Sequence, residues 1–175
     1  MPDTGHVVLV GLMGSGKSTV GPLLARRLGR EYLDNDAMLV GRAGRSARDI
    51  AERDGLAALH ALETDALVAA VEAGPPAVVG AAAGAVLEPA AVAALRRCHV
   101  VYLRVAPEVL VLRVQAEVDD GHRPRVDVVS QYAERDRGYC EVADVVVDGA
   151  AVPAEVVGRI IAALATPQPG VSRDG

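Results

Sequence analysis

The chain has no phenylalanine and no tryptophan, and its only aromatic residues are Tyr32, Tyr102, Tyr132 and Tyr139. A core must therefore be assembled from many small and branched aliphatic side chains, because half of the 175 residues are apolar and nearly all of that is Ala, Val and Leu. Cysteine is almost absent as well. Cys98 and Cys140 show neither a metal-ligand spacing nor a disulfide framework, so the expectation is reduced thiols in a cytoplasmic protein. There is no excess of basic charge: the net charge is −5 with acids and bases interleaved, which excludes a phosphate-backbone or anionic-membrane surface. No apolar run approaches the roughly 20 residues of a membrane span. The segment MPDTGHVVLV carries no basic leader, and the expectation is a protein with neither nucleic-acid nor membrane partners.

Aliphatic runs do recur, and they alternate with helical patterns. Strands are expected at His6 to Val10, Tyr32 to Leu33, Val78 to Val79, Val100 to Val105 and Val142 to Val147. Helices are expected over Lys17 to Leu28, from Asp36, from Ser46 to Gly55, and over Leu56 to Glu72. Further helices are expected over Pro89 to Arg96, Pro107 to Glu117, Val129 to Arg137 and Pro153 to Leu164. Short apolar strands between helices point to an α/β fold with a parallel sheet covered on both faces. The length suits one domain over residues 1–166, followed by a Pro-, Gly- and Ser-containing tail over 167–175. "DDGHRPRVD", Asp119 to Asp127, reads as a polar loop.

Between the first strand and the first helix lies "GLMGSGKST", Gly11 to Thr19, a glycine, four residues, then Gly-Lys-Ser in the context this pattern requires. Backbone N–H groups of Gly11, Met13, Gly14, Ser15, Gly16 and Thr19 would cradle phosphates, with Lys17 as a point charge and the Ser18 hydroxyl for magnesium. This predicts a nucleoside triphosphate site. "LDND" sets Asp34 and Asp36 just beyond the second strand, where ligands of open parallel sheets bind. One carboxylate can serve the hydrated metal while the other faces an acceptor hydroxyl. Another reading of the pair is a solvated loop with an aspartate capping the next helix. A third stretch, "VVGAAAGAVL", leaves almost bare backbone at a strand tip, against which a ligand or another segment could lie.

The ordered set of "GLMGSGKSTVG", "LDND", "GRSARDIAERDG" followed by Glu63, "VVGAAAGAVL", "VVYLRVAPE", "RP" and "YCEVADVVVD" resembles the shikimate kinase family over nearly the whole chain. The resemblance implies a P-loop fold of the nucleoside monophosphate kinase type: a five-stranded parallel sheet, an acceptor-binding region at about residues 37–63, and a lid at about 119–128. It implies ATP and Mg2+ as cofactors, Asp34 near the metal, Asp36 at the acceptor hydroxyl, and Arg123 on the transferred phosphoryl group. Arg113 and the loop up to Pro153 would flank the adenine. It places Ala51, Leu59, His60, Ala82, Ala83, Gly84 and Cys140 in the acceptor pocket.

Departures fall on the acceptor side. At the positions of the two arginines that hold the shikimate carboxylate in the family, His60 and Cys140 are expected. Ala82 and Ala83 add methyl groups, and the aromatic wall becomes Ala51 and Leu59. Losing two charge-assisted contacts costs on the order of a hundredfold or more in affinity. The leading expectation is therefore an ATP-dependent kinase, monomeric, acting on a hydroxyl of a small polyol, cyclitol or amino alcohol that lacks the shikimate carboxylate. The alternatives are a genuine shikimate kinase whose carboxylate clamp has moved to Arg125 or Arg137, and a nucleotide-binding regulatory module. A nucleoside monophosphate kinase fits less well, since no arginine cluster serves a second phosphate.

Overall fold

The computed structural model describes residues 5–72, 74–116 and 127–166. Five strands, β1 (Val7–Val10), β2 (Tyr32–Asp34), β3 (Val78–Gly80), β4 (His99–Arg104) and β5 (Val145–Asp148), form one sheet in the order β2-β3-β1-β4-β5. Every pairing is parallel. Between them run α1 (Lys17–Leu28), α2 (Asn35–Ala43), α3 (Ala47–Asp54), α4 (Leu56–Glu72), α5 (Pro89–Leu95), α6 (Pro107–Ala116) and α7 (Val128–Val142), with α8 (Pro153–Ala165) last. A 3₁₀ turn, Ala85–Leu87, lies between β3 and α5.

Alternation along the central strands sorts their side chains into two cores. Val7, Leu9, Val101 and Leu103 pack with Leu24 of α1 and Val157 and Ile160 of α8. Val8, Val10, Val79 and Val100 pack on the opposite face with Leu67, Leu95 and the tyrosines. In a chain without Phe or Trp, Tyr102 and Tyr139 are the largest fully buried side chains, and their rings lie 4.9 Å apart. A third cluster, Leu39, Ala47, Ile50 and Leu59, binds α2, α3 and α4 to one another beside the sheet.

Most element boundaries match the sequence expectations to within a residue or two. The exceptions lie near the C-terminal strand: α7 runs five residues past the expected end at Arg137, and Val142 closes it instead of opening β5, which begins at Val145. Asp144 breaks the apolar run by accepting a hydrogen bond from Val100 N at 2.8 Å, and this fixes the strand's entry. The lid expected at about 119–128, with Arg123 and Arg125, falls almost wholly outside the described residues, as does the tail.

Candidate active site

β1 leads through α1 to β2 on one side of the sheet, whereas β3 leads through α5 to β4 on the other. The loops leaving β1 and β3 diverge, and the crevice between them at the carboxyl ends of the strands is where such sheets bind ligands. A pocket of about 770 Å3 occupies that position.

One end of the pocket is the phosphate loop. Gly14 and Gly16 hold φ values of 80° and 100°, left-handed backbone that glycine adopts without strain, and the loop delivers the chain into α1, whose first residues, Lys17, Ser18 and Thr19, line the pocket. The Lys17 ammonium donates to the carbonyls of Gly11 at 2.6 Å and Leu12 at 3.0 Å, which keeps it over the loop. Met13, Gly14, Gly16, Ser18 and Thr19 line the wall. Gly11 and Ser15 shape the loop from behind: Ser15 is buried, and a Cβ on Gly11 would stand 2.8 Å from its Oγ. Arg113 donates to Gly14 O at 3.0 Å and Gly149 O at 3.1 Å, joining the phosphate loop to the turn before Pro153, and all four residues line this end.

Asp34 caps the helix that follows it, as one of the two sequence readings of the pair expects. Its Oδ1 caps α2 by accepting from Asp36 N at 3.0 Å and Ala37 N at 3.3 Å, and the residue also lines the pocket beside Ser18. Hydroxyl and carboxylate oxygens are the hard donors that Mg2+ takes. Among the described residues no group of three or more His, Cys, Asp or Glu could hold an ion unaided. This donor set fits an ion that keeps several waters and is held chiefly by nucleotide phosphates.

The far end is built by α2, α4, α7 and the alanine run. Asp36 stands in the first turn of α2, and Leu59, His60 and Glu63 project from successive turns of α4. Gly80, Ala81, Ala82, Ala83 and Gly84 all line the wall, so the bare strand tip is pocket surface. Its course is fixed by the Tyr139 hydroxyl, which donates to Ala83 O at 2.6 Å. A Cβ on Gly84 would lie 3.1 Å from the His60 ring, so the imidazole packs directly on that glycine. Its Nδ1 is 3.7 Å from Glu88 Oε1.

Two expected acceptor residues do not reach the pocket. Cys140 is exposed on α7, because α7 turns residues 128, 135 and 139 inward and leaves 140 on the outer face. Ala51 packs against the cluster that joins α2, α3 and α4. Arg137, considered as a substitute cation, is 89% exposed and paired with Glu141 at 2.7 Å.

The residue missing from the sequence reading is Arg135, and Glu63 stood there only as part of a motif, with no role of its own. Arg135 lies four residues before Tyr139 on the same helical face, with only 8% of its surface exposed, and lines the pocket. Its Nε donates to Glu134 Oε2 at 3.0 Å, and it interacts with the Tyr139 hydroxyl. An arginine at an apolar-face spacing was the signal for it. Glu63 is held protonated up to about pH 7: burial is the largest cause and the Asp36 charge adds to it, while Arg135 and Lys17 oppose it.

That shift has a measurable sign. Between about pH 4.5 and 7 the native protein retains a proton at Glu63 that the unfolded chain has released. The stabilisation is complete below this window and is lost as pH rises through it. Thermal unfolding from pH 5 to 8 is therefore expected to show a decline in the parent that is smaller in Glu63→Gln. The same decline in both proteins would assign it to other groups.

Comparisons with known proteins agree with this geometry. A sequence model described as shikimate kinase matches residues 13–165. The chain is 37% identical over 169 residues to shikimate kinase 2 of Enterobacter sp. (strain 638), covering 92% of this chain and 96% of that protein. It is 39% identical over 164 residues to a shikimate kinase of Moorella thermoacetica, covering 90% and 92%. The structure of a shikimate kinase from Acinetobacter baumannii in complex with shikimate superposes with a TM-score of 0.83 at 29% identity, covering 92% of this chain and 93% of that one.

Proposed function

Because this chain belongs to the shikimate kinase family of ATP- and Mg2+-dependent small-molecule kinases, we propose that it transfers the γ-phosphoryl group of ATP to shikimate, giving shikimate 3-phosphate. The observation that carries this reading is Arg135, a buried guanidinium in the acceptor end of the pocket beside Glu63. A planar fork of N–H donors suits a carboxylate, and burial strengthens the contact. The expectation of an acceptor without a carboxylate rested on the absence of both cationic partners. With Arg135 in the wall, one cation is present and the case for an acceptor without a carboxylate loses its main support. His60 stands where a second would act, and it pairs with a carboxylate only when protonated.

The chemistry assigned to each end follows from its groups. Phosphoryl transfer is mostly positioning and charge neutralisation. Lys17 and the N–H groups of the loop bind the phosphates, and Ser18 and Asp34 would hold magnesium, which when bound neutralises charge on the outer phosphates. Asp36 orients the acceptor hydroxyl and accepts its proton as the oxygen attacks phosphorus and the bond to the ADP oxygen breaks. Arg135 holds the other end of the acceptor, so that one hydroxyl alone is presented in line.

The test is ADP release with saturating magnesium ATP and shikimate, beside Lys17→Ala as a blank, repeated with methyl shikimate, in which the carboxylate is neutralised. Turnover of roughly 1 to 100 per second on shikimate, the usual kinase range, is expected, with a marked preference for the free acid. Background rates on shikimate together with turnover of polyols or amino alcohols would overturn this reading in favour of an acceptor without a carboxylate.

A further inference from the structure

Tyr32 of β2 occupies a slot made by two glycines on neighbouring elements. A Cβ on Gly21 of α1 would overlap its ring, and one on Gly80 of β3 would overlap its hydroxyl oxygen. In that slot the phenol donates to Asp34 Oδ2 at 3.1 Å and lies 3.4 Å from the Lys17 carbonyl oxygen. The Ser18 side chain interacts with the same hydroxyl. The hydroxyl thus stands between Ser18 and Asp34, the two residues whose oxygens fit magnesium. Asp34 Oδ1 already accepts from two backbone N–H groups of α2. With Tyr32 on Oδ2, about three of the roughly four acceptor sites of a carboxylate are filled, and one remains, on Oδ2.

We propose that Tyr32 is a positioning residue for the metal-side carboxylate, fixing the rotation of Asp34 and tying it to Ser18 so that the metal–nucleotide complex meets a preformed pair of oxygens. Packing alone does not account for the arrangement. A ring without the hydroxyl would fill the space beside Gly21, and the hydrogen bond to Asp34 is what the phenol adds. Groups that orient metal-binding side chains from behind commonly change metal affinity by about tenfold or more when removed.

Tyr32→Phe deletes one oxygen and keeps the ring. ADP affinity is to be measured by calorimetry with and without Mg2+, and bound Mn2+ by electron paramagnetic resonance. The expected result is an unchanged metal-free ADP affinity, an enhancement by Mg2+ reduced by about tenfold, and a matching loss of Mn2+ affinity. In an Asp34→Asn background the same substitution should have no further effect on the enhancement, because Tyr32 acts through that carboxylate. An unchanged enhancement in Tyr32→Phe would overturn the proposal. So would an equal loss with and without metal, which would make Tyr32 a packing residue, or an effect that persists in Asp34→Asn. No acceptor enters these measurements, so their failure leaves the shikimate reading untouched.

Discussion

Asp36→Asn is expected to lower kcat by about 10² to 10⁴, the range for removing a general base, while KM for ATP stays within about twofold. The substitution is nearly isosteric and leaves the start of α2 in place, because the cap is the Asp34 carboxylate accepting from the backbone N–H of residue 36. What disappears is the capacity to take the proton of the attacking hydroxyl. kcat and kcat/KM should therefore fall together, as for an interaction made in the transition state. A second readout follows from electrostatics: the Asp36 charge helps to raise Glu63, so its removal should move the Glu63 titration downward. The measurements are steady-state rates with each substrate varied, and thermal unfolding against pH. A loss of less than about tenfold would leave Asp36 orienting the hydroxyl without accepting its proton.

The nucleotide half of the site was legible in the sequence because its chemistry is local. A strand, a glycine loop and a helix start within the segment from Val7 to Thr19 form one continuous unit, and six of the residues that line the pocket fall between Met13 and Thr19. The acceptor half is assembled from α2, α4, α7 and the loop after β3, and there a motif's position along the chain does not say which way a side chain points. "YCEVAD" drew attention to Cys140, yet on a helix the inward residues are spaced by three and four, so Tyr139 and Arg135 turn in together while Cys140 turns out. Glu63 was visible as part of a motif but its environment was not. Its raised titration depends on burial and on Asp36, 27 positions earlier in the chain, which no spacing rule connects. Tyr32 was read as strand alone, since its contact with Asp34 depends on the two glycines beside it, 11 residues before and 48 after.

Arg135→Leu is expected to raise KM for shikimate by about a hundredfold with KM for ATP unchanged, the magnitude of one lost charge-assisted pair of hydrogen bonds. Leucine is the informative replacement, because an apolar side chain on the inward face of α7 leaves no orphaned charge. Glu134 loses a partner but is 56% exposed and is resolvated at little cost. Arg135→Lys should recover part of the affinity, since it restores charge without the planar fork. The substitution also acts on Glu63. Arg135 opposes the upward shift of that carboxyl, so in Arg135→Leu Glu63 should hold its proton to higher pH, and the pH dependence of shikimate binding should move the same way. Methyl shikimate separates charge recognition from shape. If Arg135 reads the carboxylate, the parent's preference for the free acid vanishes in Arg135→Leu while the ester's affinity changes little. Equal losses for acid and ester would mean that Arg135 supports the pocket through Tyr139 and the Ala83 carbonyl that Tyr139 holds, and the carboxylate would need another partner.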